Sequence, residues 1–283
     1  MKLPRLRTIV LVPLAAFALF YLAGVIVFAT RETPVVPAVD APVAPLTIAI
    51  LGASGTAGDG ILEAALASPD IEKIHVITRR STPRIERGVT AGKVQMTLHM
   101  DYLDFSAVAE TLTEVDAVFW AIGLRSWGVD EETYAMIHVD FPLAFVRDWN
   151  AVANNSPVSF HYISSSDISE ESTAMWAREK LRAEKLLTAF AAETNMRVIA
   201  YRPDYIGPTD EEASLGQILL YNIFKPVGAA VKAMQIGQAM IEVSARPAEF
   251  PNGAKLHTGK ITRYSDAYER RRTNPANIYP IAN

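Results

Sequence analysis

From Leu46 to Leu66 the chain reads LTIAILGASGTAGDGILEAAL, a stretch that few folds accommodate. Thr47 to Leu51 is a short apolar, β-branched run, the signature of a buried strand. Gly52, Gly55 and Gly58 then arrive at three-residue intervals, and Ile61, Leu62, Ala65 and Leu66 follow at helical spacing. Strand, glycine turn and helix opening, in that order, are the ingredients of a dinucleotide-binding βα unit. Gly52 permits the tight turn, Gly55 lets the backbone approach a pyrophosphate, and Gly58 lets the helix pack close to the strand. Around them Ser54, Thr56 and Ala57 open the helix, whose first N–H groups and partial positive charge suit phosphates. Glycines also collect in ordinary turns; the strand before and the helix after favour nucleotide binding here.

The remaining elements continue the pattern. Ile74 to Thr78 reads as a second strand ending at Arg79 and Arg80. An acidic residue near this point holds the ribose 2′-hydroxyl in NAD sites, whereas an arginine accommodates a 2′-phosphate. Neither Asp nor Glu stands there, so NADP is expected ahead of NAD; the competing reading is a pair of solvated loop arginines. Val94, Met96, Leu98 and Met100 alternate with polar residues as a third strand, and Asp101 follows at its carboxyl end, where ligands gather. Asp104 suits a cap for a helix starting near Phe105. Val115 to Ile122 is a fourth strand broken by Gly123, so that Ala121 and Gly123 can border a cofactor ribose.

Glu131 to Asn154 is mostly helical, with a kink or break at Pro142. Val158 to Ser164 forms a fifth strand, followed by the polar run Ser164-Ser165-Ser166-Asp167. Ala174 to Thr194 is an amphipathic helix with Trp176 and Lys180 four apart on one face. Arg197 to Tyr201 is a sixth strand. Strands thus alternate with helices from Leu46 to about residue 207, which predicts an α/β fold with a doubly wound parallel sheet. The apolar stretch from Ile218 to Val243 carries Lys225, Pro226, Lys232 and Glu242, and reads as packed helices over a substrate cleft. No His/Asp/Glu cluster has metal-ligand spacing.

The N-terminus is of another kind. Thr8 to Ala29 is a run of 22 residues without a charge, long enough to cross a bilayer as a transmembrane helix. A cleaved signal peptide competes, with Val27 and Ala29 at the cleavage site, but signal h-regions are roughly 7–15 residues long, which favours an uncleaved anchor. Pro34, Pro37, Pro42 and Pro45 follow without glycine, as expected of an extended spacer. The organisation predicted is a single-pass membrane anchor at 1–32, a linker at 33–45, a nucleotide-binding domain with a small helical substrate lobe at 46–268, and a loose tail at 269–283. Lys2, Arg5 and Arg7 before the span place the domain outside the cytoplasm by the charge rule, whereas reduced nicotinamide cofactor is most available inside. A net charge of −4 gives no reason to expect a nucleic-acid partner, and the absence of cysteine excludes disulfides and thiol catalysis.

GASGTAG at 52–58, TRR at 78–80, WAIGLRS at 120–126, YISSSD at 162–167 and YRPDYIGP at 201–208 fall in a familiar order. In these the chain resembles the short-chain dehydrogenase/reductase superfamily, in its atypical branch, and is similar to the Tat-interacting-protein-like and NmrA-like group. The resemblance covers roughly residues 46–268. It implies an NAD(P)-binding Rossmann domain and an oxidoreductase site built from Ser, Tyr and Lys, acting on a small-molecule substrate. In that site tyrosine exchanges the proton, lysine lowers its pKa and holds the ribose, and serine orients the carbonyl.

Here the matching positions are Ser165, with Ser164 and Ser166 as alternatives, then Trp176 and Lys180. The tyrosine is replaced by Trp176, whose indole N–H does not give up its proton near neutral pH. His138 stands where the family carries an asparagine. Either Tyr134, Tyr162, His138 or Tyr205 delivers the proton, or the site is a non-catalytic nucleotide-binding scaffold or redox sensor for a membrane-protein partner.

Overall fold

A computed structural model of the chain describes residues 6–37, 39, 44–153, 157–211 and 213–273. Lys2, Arg5, Pro42, Asn154, Pro275 and Pro280 lie outside the described residues.

Six strands are spaced along the chain as the apolar runs predict: β1 (Leu46–Leu51), β2 (Ile71–Thr78), β3 (Val94–Leu98), β4 (Ala117–Trp120), β5 (Val158–Ile163) and β6 (Met196–Arg202). A seventh, β9 (Ala254–His257), follows the short strands β7 (Tyr205–Gly207) and β8 (Ala230–Lys232), which pair only with each other. The main sheet is parallel in the order β3-β2-β1-β4-β5-β6-β9. Between the strands run α2 (Thr56–Ala67), α3 (Pro83–Thr90), α4 (Ala109–Leu112), α5 (Glu131–Ala135), α6 (Phe141–Val152), α7 (Met175–Ala191), α8 (Leu215–Phe224) and α9 (Ala233–Ser244), with α10 (Thr258–Thr273) after β9. The fold is a doubly wound, Rossmann-like α/β sheet.

Strand side chains alternate between faces, so each central strand feeds two cores. Ile48 and Ile50 of β1 join Ala117 and Phe119 of β4 beneath α2, α9 and α10. Ala49 and Leu51 join Val118, Trp120 and the α6 residues Phe145 and Trp149 on the other face. Because β2 lies on one side of β1 and β4 on the other, a crevice opens at the carboxyl ends of β1 and β4.

The helix predicted over Glu131–Asn154 changes character midway. Met136–Asp140 forms a π-turn between α5 and α6, just before Pro142 at the start of α6. Proline lacks the N–H that an uninterrupted α-helix needs, so the wide turn sits where the α pattern cannot run on.

Three expectations need correction. Glu269–Thr273 are helical rather than a loose tail: Arg271 of α10 pairs with the buried Glu242 at 2.8 Å and with Asp70 at 2.7 Å, and Gln238 donates to Glu269. The segment after the N-terminal helix is not a free spacer, because Val36 packs into the first core and Arg246 donates to the Pro37 carbonyl at 2.7 Å. The stretch 218–243 divides: α9 is buried against α2 and α10, and only α8 borders the cleft.

The N-terminal helix α1 spans Leu6–Thr30, and its portion from Leu11 is long and apolar enough to cross a membrane. It touches the domain along one stripe. Tyr21 donates its hydroxyl to the Ile223 carbonyl at 2.8 Å, Gly24 faces Val227, and Phe28 covers Gly228.

Candidate functional site

The glycine loop is built as its spacing predicts. Gly52 has φ +86°, and a Cβ there would meet the Ala121 backbone at 2.6 Å, so only glycine fits between β1 and β4. At Gly58 a Cβ would lie 2.0 Å from the Gly52 carbonyl oxygen, which is how α2 comes to lie tight against the turn. Gly55 differs. A Cβ there would meet nothing nearer than the Gly52 oxygen at 3.6 Å, and Gly55 caps α2 with no side chain bonded to the first-turn N–H groups. The space above Gly55 is open, and unpaired N–H groups of a 12-residue helix face it.

One half of the cleft is lined by Gly52, Ser54, Gly55, Arg79, Arg80 and Tyr102, together with Ala121 and Gly123. Thr78 accepts from the Arg80 N–H and donates to its carbonyl, forming a turn that presents Arg80. The Arg80 guanidinium donates to the Ser54 carbonyl at 3.0 Å, and Arg79 lies over the Tyr102 ring. Both arginines are exposed. Arg84, by contrast, is buried and held at 2.8 Å by Asp59, whose other oxygen accepts from Thr209. Asp101 is exposed and accepts from the Leu103 N–H, so Tyr102, stacked on Phe141, lines the cleft in its place.

The other half continues from Gly55, Thr56 and Ala57 across Ala121 and Gly123 to His138, Ser164, Lys180 and Tyr205. Ser164, and not Ser165, faces this space: its Oγ is buried without a hydrogen-bond partner. His138 Nε2 sits 3.3 Å from both the N–H and the carbonyl of Leu124, while Nδ1 is buried and unpartnered. Buried polar atoms are ordinarily paired, and these two unpartnered atoms border one cleft. Burial, reinforced by the Lys180 charge, pushes His138 down to about 3, so the ring is neutral at pH 7.

Lys180 is buried, donates to the Ile163 carbonyl at 3.0 Å and lies over the Tyr162 ring. Burial lowers it to about 8, with Glu184 partly opposing. Trp176 is half-buried on the first turn of α7 and does not line the cleft. Of the four residues considered for the tyrosine's role, Tyr162 is buried and donates to the His138 carbonyl at 3.0 Å, and burial raises Tyr134 to about 12. Tyr205 keeps its ring in the cleft, its hydroxyl donating to the Gln217 carbonyl at 3.3 Å. Sequence reasoning missed Tyr102, Phe141 and Gln217; only the position of Tyr102 beside Asp101, at a strand's carboxyl end, gave a signal.

Residues 48–223 match the model of the NAD dependent epimerase/dehydratase family. Leucinostatins biosynthesis cluster protein T of Purpureocillium lilacinum is 26% identical over 177 residues, and the chain spans 62% of the length of that curated relative, as the match spans 62% of the chain. Among solved structures, a short-chain dehydrogenase/reductase from Serratia marcescens superposes with a TM-score of 0.60 at 16% identity, covering 78% of this chain and all of that one. The UDP-glucuronic acid 4-epimerase of Bacillus cereus, in complex with NAD, gives 0.58 at 14% identity, covering 75% of this chain and 76% of that one. The glycine turn, the switch-point cleft and the family match over residues 48–223 converge: the chain belongs to the NAD dependent epimerase/dehydratase family, within the NAD(P)-binding short-chain dehydrogenase/reductase superfamily.

Proposed function

We propose that the chain is a membrane-anchored, NADP(H)-dependent oxidoreductase that reduces a small carbonyl compound at a site where Trp176 replaces the usual tyrosine. The observation that carries this reading is the continuity of the open Gly55 cradle with the buried Ser164, His138 and Lys180. The cradle fits a dinucleotide pyrophosphate, with the N–H groups at Thr56 and Ala57 as donors. Arg79 and Arg80, exposed at the end of β2 with no acidic residue beside them, suit a 2′-phosphate. When bound, the nicotinamide supplies the hydride.

The chain must supply the proton. Trp176 lacks an acidic proton, and Tyr134 and Tyr162 are phenols made weaker acids by burial. Lys180, lowered to about 8, is matched to general acid catalysis near neutral pH, and it is still mainly protonated there. In this reading Lys180 donates from Nζ, Ser164 Oγ hydrogen-bonds the carbonyl oxygen, and neutral His138 adds a polar contact without competing for charge. A nucleotide-binding domain that runs from 46 through the end of α10 at Thr273, α1 as an uncleaved anchor and a place near the NmrA-like group belong to the same proposal.

A second reading, a non-catalytic scaffold or redox sensor, is favoured by Trp176 itself. Measuring NADPH oxidation by the full chain against a panel of carbonyl compounds separates the two. Turnover that declines above about pH 8 and is lost in Lys180→Met supports the reductase. Tight NADPH binding without turnover on any member of the panel supports the scaffold.

A further inference from the structure

Helix α8 is built inside out. Gln217 and Tyr221, four residues apart, form the stripe that packs on the domain: Gln217 lines the cleft, and Tyr221 covers Gly207. Leu215, Ile218, Leu219, Leu220, Ile223 and Phe224 are exposed, Leu215 at 87% and Leu219 at 61%. A helix on a water-facing surface carries the opposite arrangement, apolar residues inward and polar ones outward. An exposed apolar patch on this scale marks a surface that meets something other than water.

We infer that α8 dips into the lipid bilayer beside α1, seating the domain on the membrane with the α8 edge of the cleft against it. This rests on the reading of α1 as a membrane span. The occupant is a lipid bilayer because α8 is continuous with that span. Tyr21, Gly24 and Phe28 of α1 hold Ile223, Val227 and Gly228 at the end of α8. Tyr21 precedes Thr30 by roughly 14 Å of helical rise, so a bilayer that surrounds α1 reaches α8 as well. The Ile223 carbonyl, in the last turn of α8 where intrahelical donors run out, is satisfied by the Tyr21 hydroxyl. Within a bilayer, where water is not there to hydrogen-bond a bare carbonyl, that bond keeps the end of α8 satisfied. Lys225 follows the apolar face at its solvent edge, where an ammonium reaches headgroups.

The chain has no cysteine, so single labelling sites can be introduced cleanly. Leu219→Cys on α8, Phe17→Cys on α1 and Glu110→Cys on α4 are all at exposed positions. Each full-length variant, carrying a fluorophore, is reconstituted into phosphatidylcholine vesicles doped with nitroxide-labelled phosphatidylcholine. The expected result is emission lowered about twofold or more at positions 17 and 219, and unchanged at 110. Quenching at 17 without quenching at 219 overturns the inference while leaving α1 as an anchor. If position 219 is then also shielded from aqueous iodide, a protein surface or a second copy of the chain covers α8 instead. No quenching at 17 removes the anchor, and the inference with it.

Discussion

Gly55 and Gly58 are three residues apart in one turn, yet the space around them predicts opposite consequences for substitution. At Gly58 an added Cβ meets the Gly52 carbonyl oxygen at 2.0 Å, the Gly52 carbonyl carbon at 2.5 Å and the Ala53 Cα at 2.8 Å. All three are backbone atoms, so the turn itself must move. Gly58→Ala should therefore destabilise the domain by about 1–3 kcal/mol through overpacking, in spite of alanine's better helix propensity. In a domain of this size each kcal/mol lowers Tm by about 2–4 °C.

Gly55→Val meets no such obstacle. Its nearest neighbour is 3.6 Å away, and φ −108°, ψ 166° is backbone that valine adopts readily. The weaker N-cap should cost about 1 kcal/mol or less. The valine side chain, however, occupies the space in front of the α2 N–H groups. Losing a hydrogen bond to a charged group costs about 1.5–3 kcal/mol, or roughly 10–150-fold in affinity. Scanning calorimetry paired with NADPH titration reads both effects on the same samples. A Gly55→Val variant that keeps wild-type affinity, or a Gly58→Ala variant as stable as wild type, refutes the assignment of the turn.

Three further outcomes follow from the site and the anchor. Trp176→Tyr should leave carbonyl reductase activity within about twofold, because Trp176 does not line the cleft; a gain of about 10²–10⁴-fold, as a well-placed general acid gives, would show that the first turn of α7 reaches the reacting carbonyl after all. His138 is held at about 3 in the folded chain, against an ordinary 6.5, so the unfolded chain binds more protons between those values and stability rises with pH across that window. His138→Asn should remove up to about 1.4 kcal/mol per pH unit of that slope, measured by urea denaturation between pH 4 and 6; an unaltered slope contradicts the neutral buried ring. Deletion of residues 1–32 retains Val36 and Pro37, so the domain should fold, but it uncovers Val227 and Gly228 beside α8 and should self-associate in sedimentation experiments. A monodisperse monomer would count against α1 as the cover for that surface.

What could be read from the sequence was what local chemistry dictates. The glycine spacing sets the β1–α2 turn because Gly52 is required by the adjoining end of β4 and Gly58 by its contact with Gly52, while Gly55 leaves the space before α2 open. Fully buried parallel strands announce themselves as apolar runs, and five of the six before residue 203 were legible for that reason; the half-exposed β3 shows instead as an alternation of apolar and polar residues. Long-range pairing left no such trace. The role of β9 in closing the sheet depends on its register against β6, and the order of Arg270–Thr273 depends on Glu242 and Asp70, both distant in sequence. Which serine of Ser164–Ser166 enters the cleft turns on where β5 ends, and a shift of one residue exchanges the faces. Hydropathy alone could not tell α8 from α9: both are apolar, but α9 is enclosed by α2 and α10 while α8 is left outside.

The most direct measurement is a calorimetric titration of the full chain, held in detergent micelles, with NADPH and with NADH. Wild type should bind NADPH at least about tenfold more tightly, because one charge-assisted contact to a 2′-phosphate is worth about 1.5–3 kcal/mol. Arg80→Ala, which also frees the Ser54 carbonyl, and Arg79→Ala should each narrow that difference by weakening NADPH and leaving NADH nearly unchanged. Equal affinity for the two nucleotides would contradict the role given to the arginines, and no binding of either would contradict the nucleotide site itself.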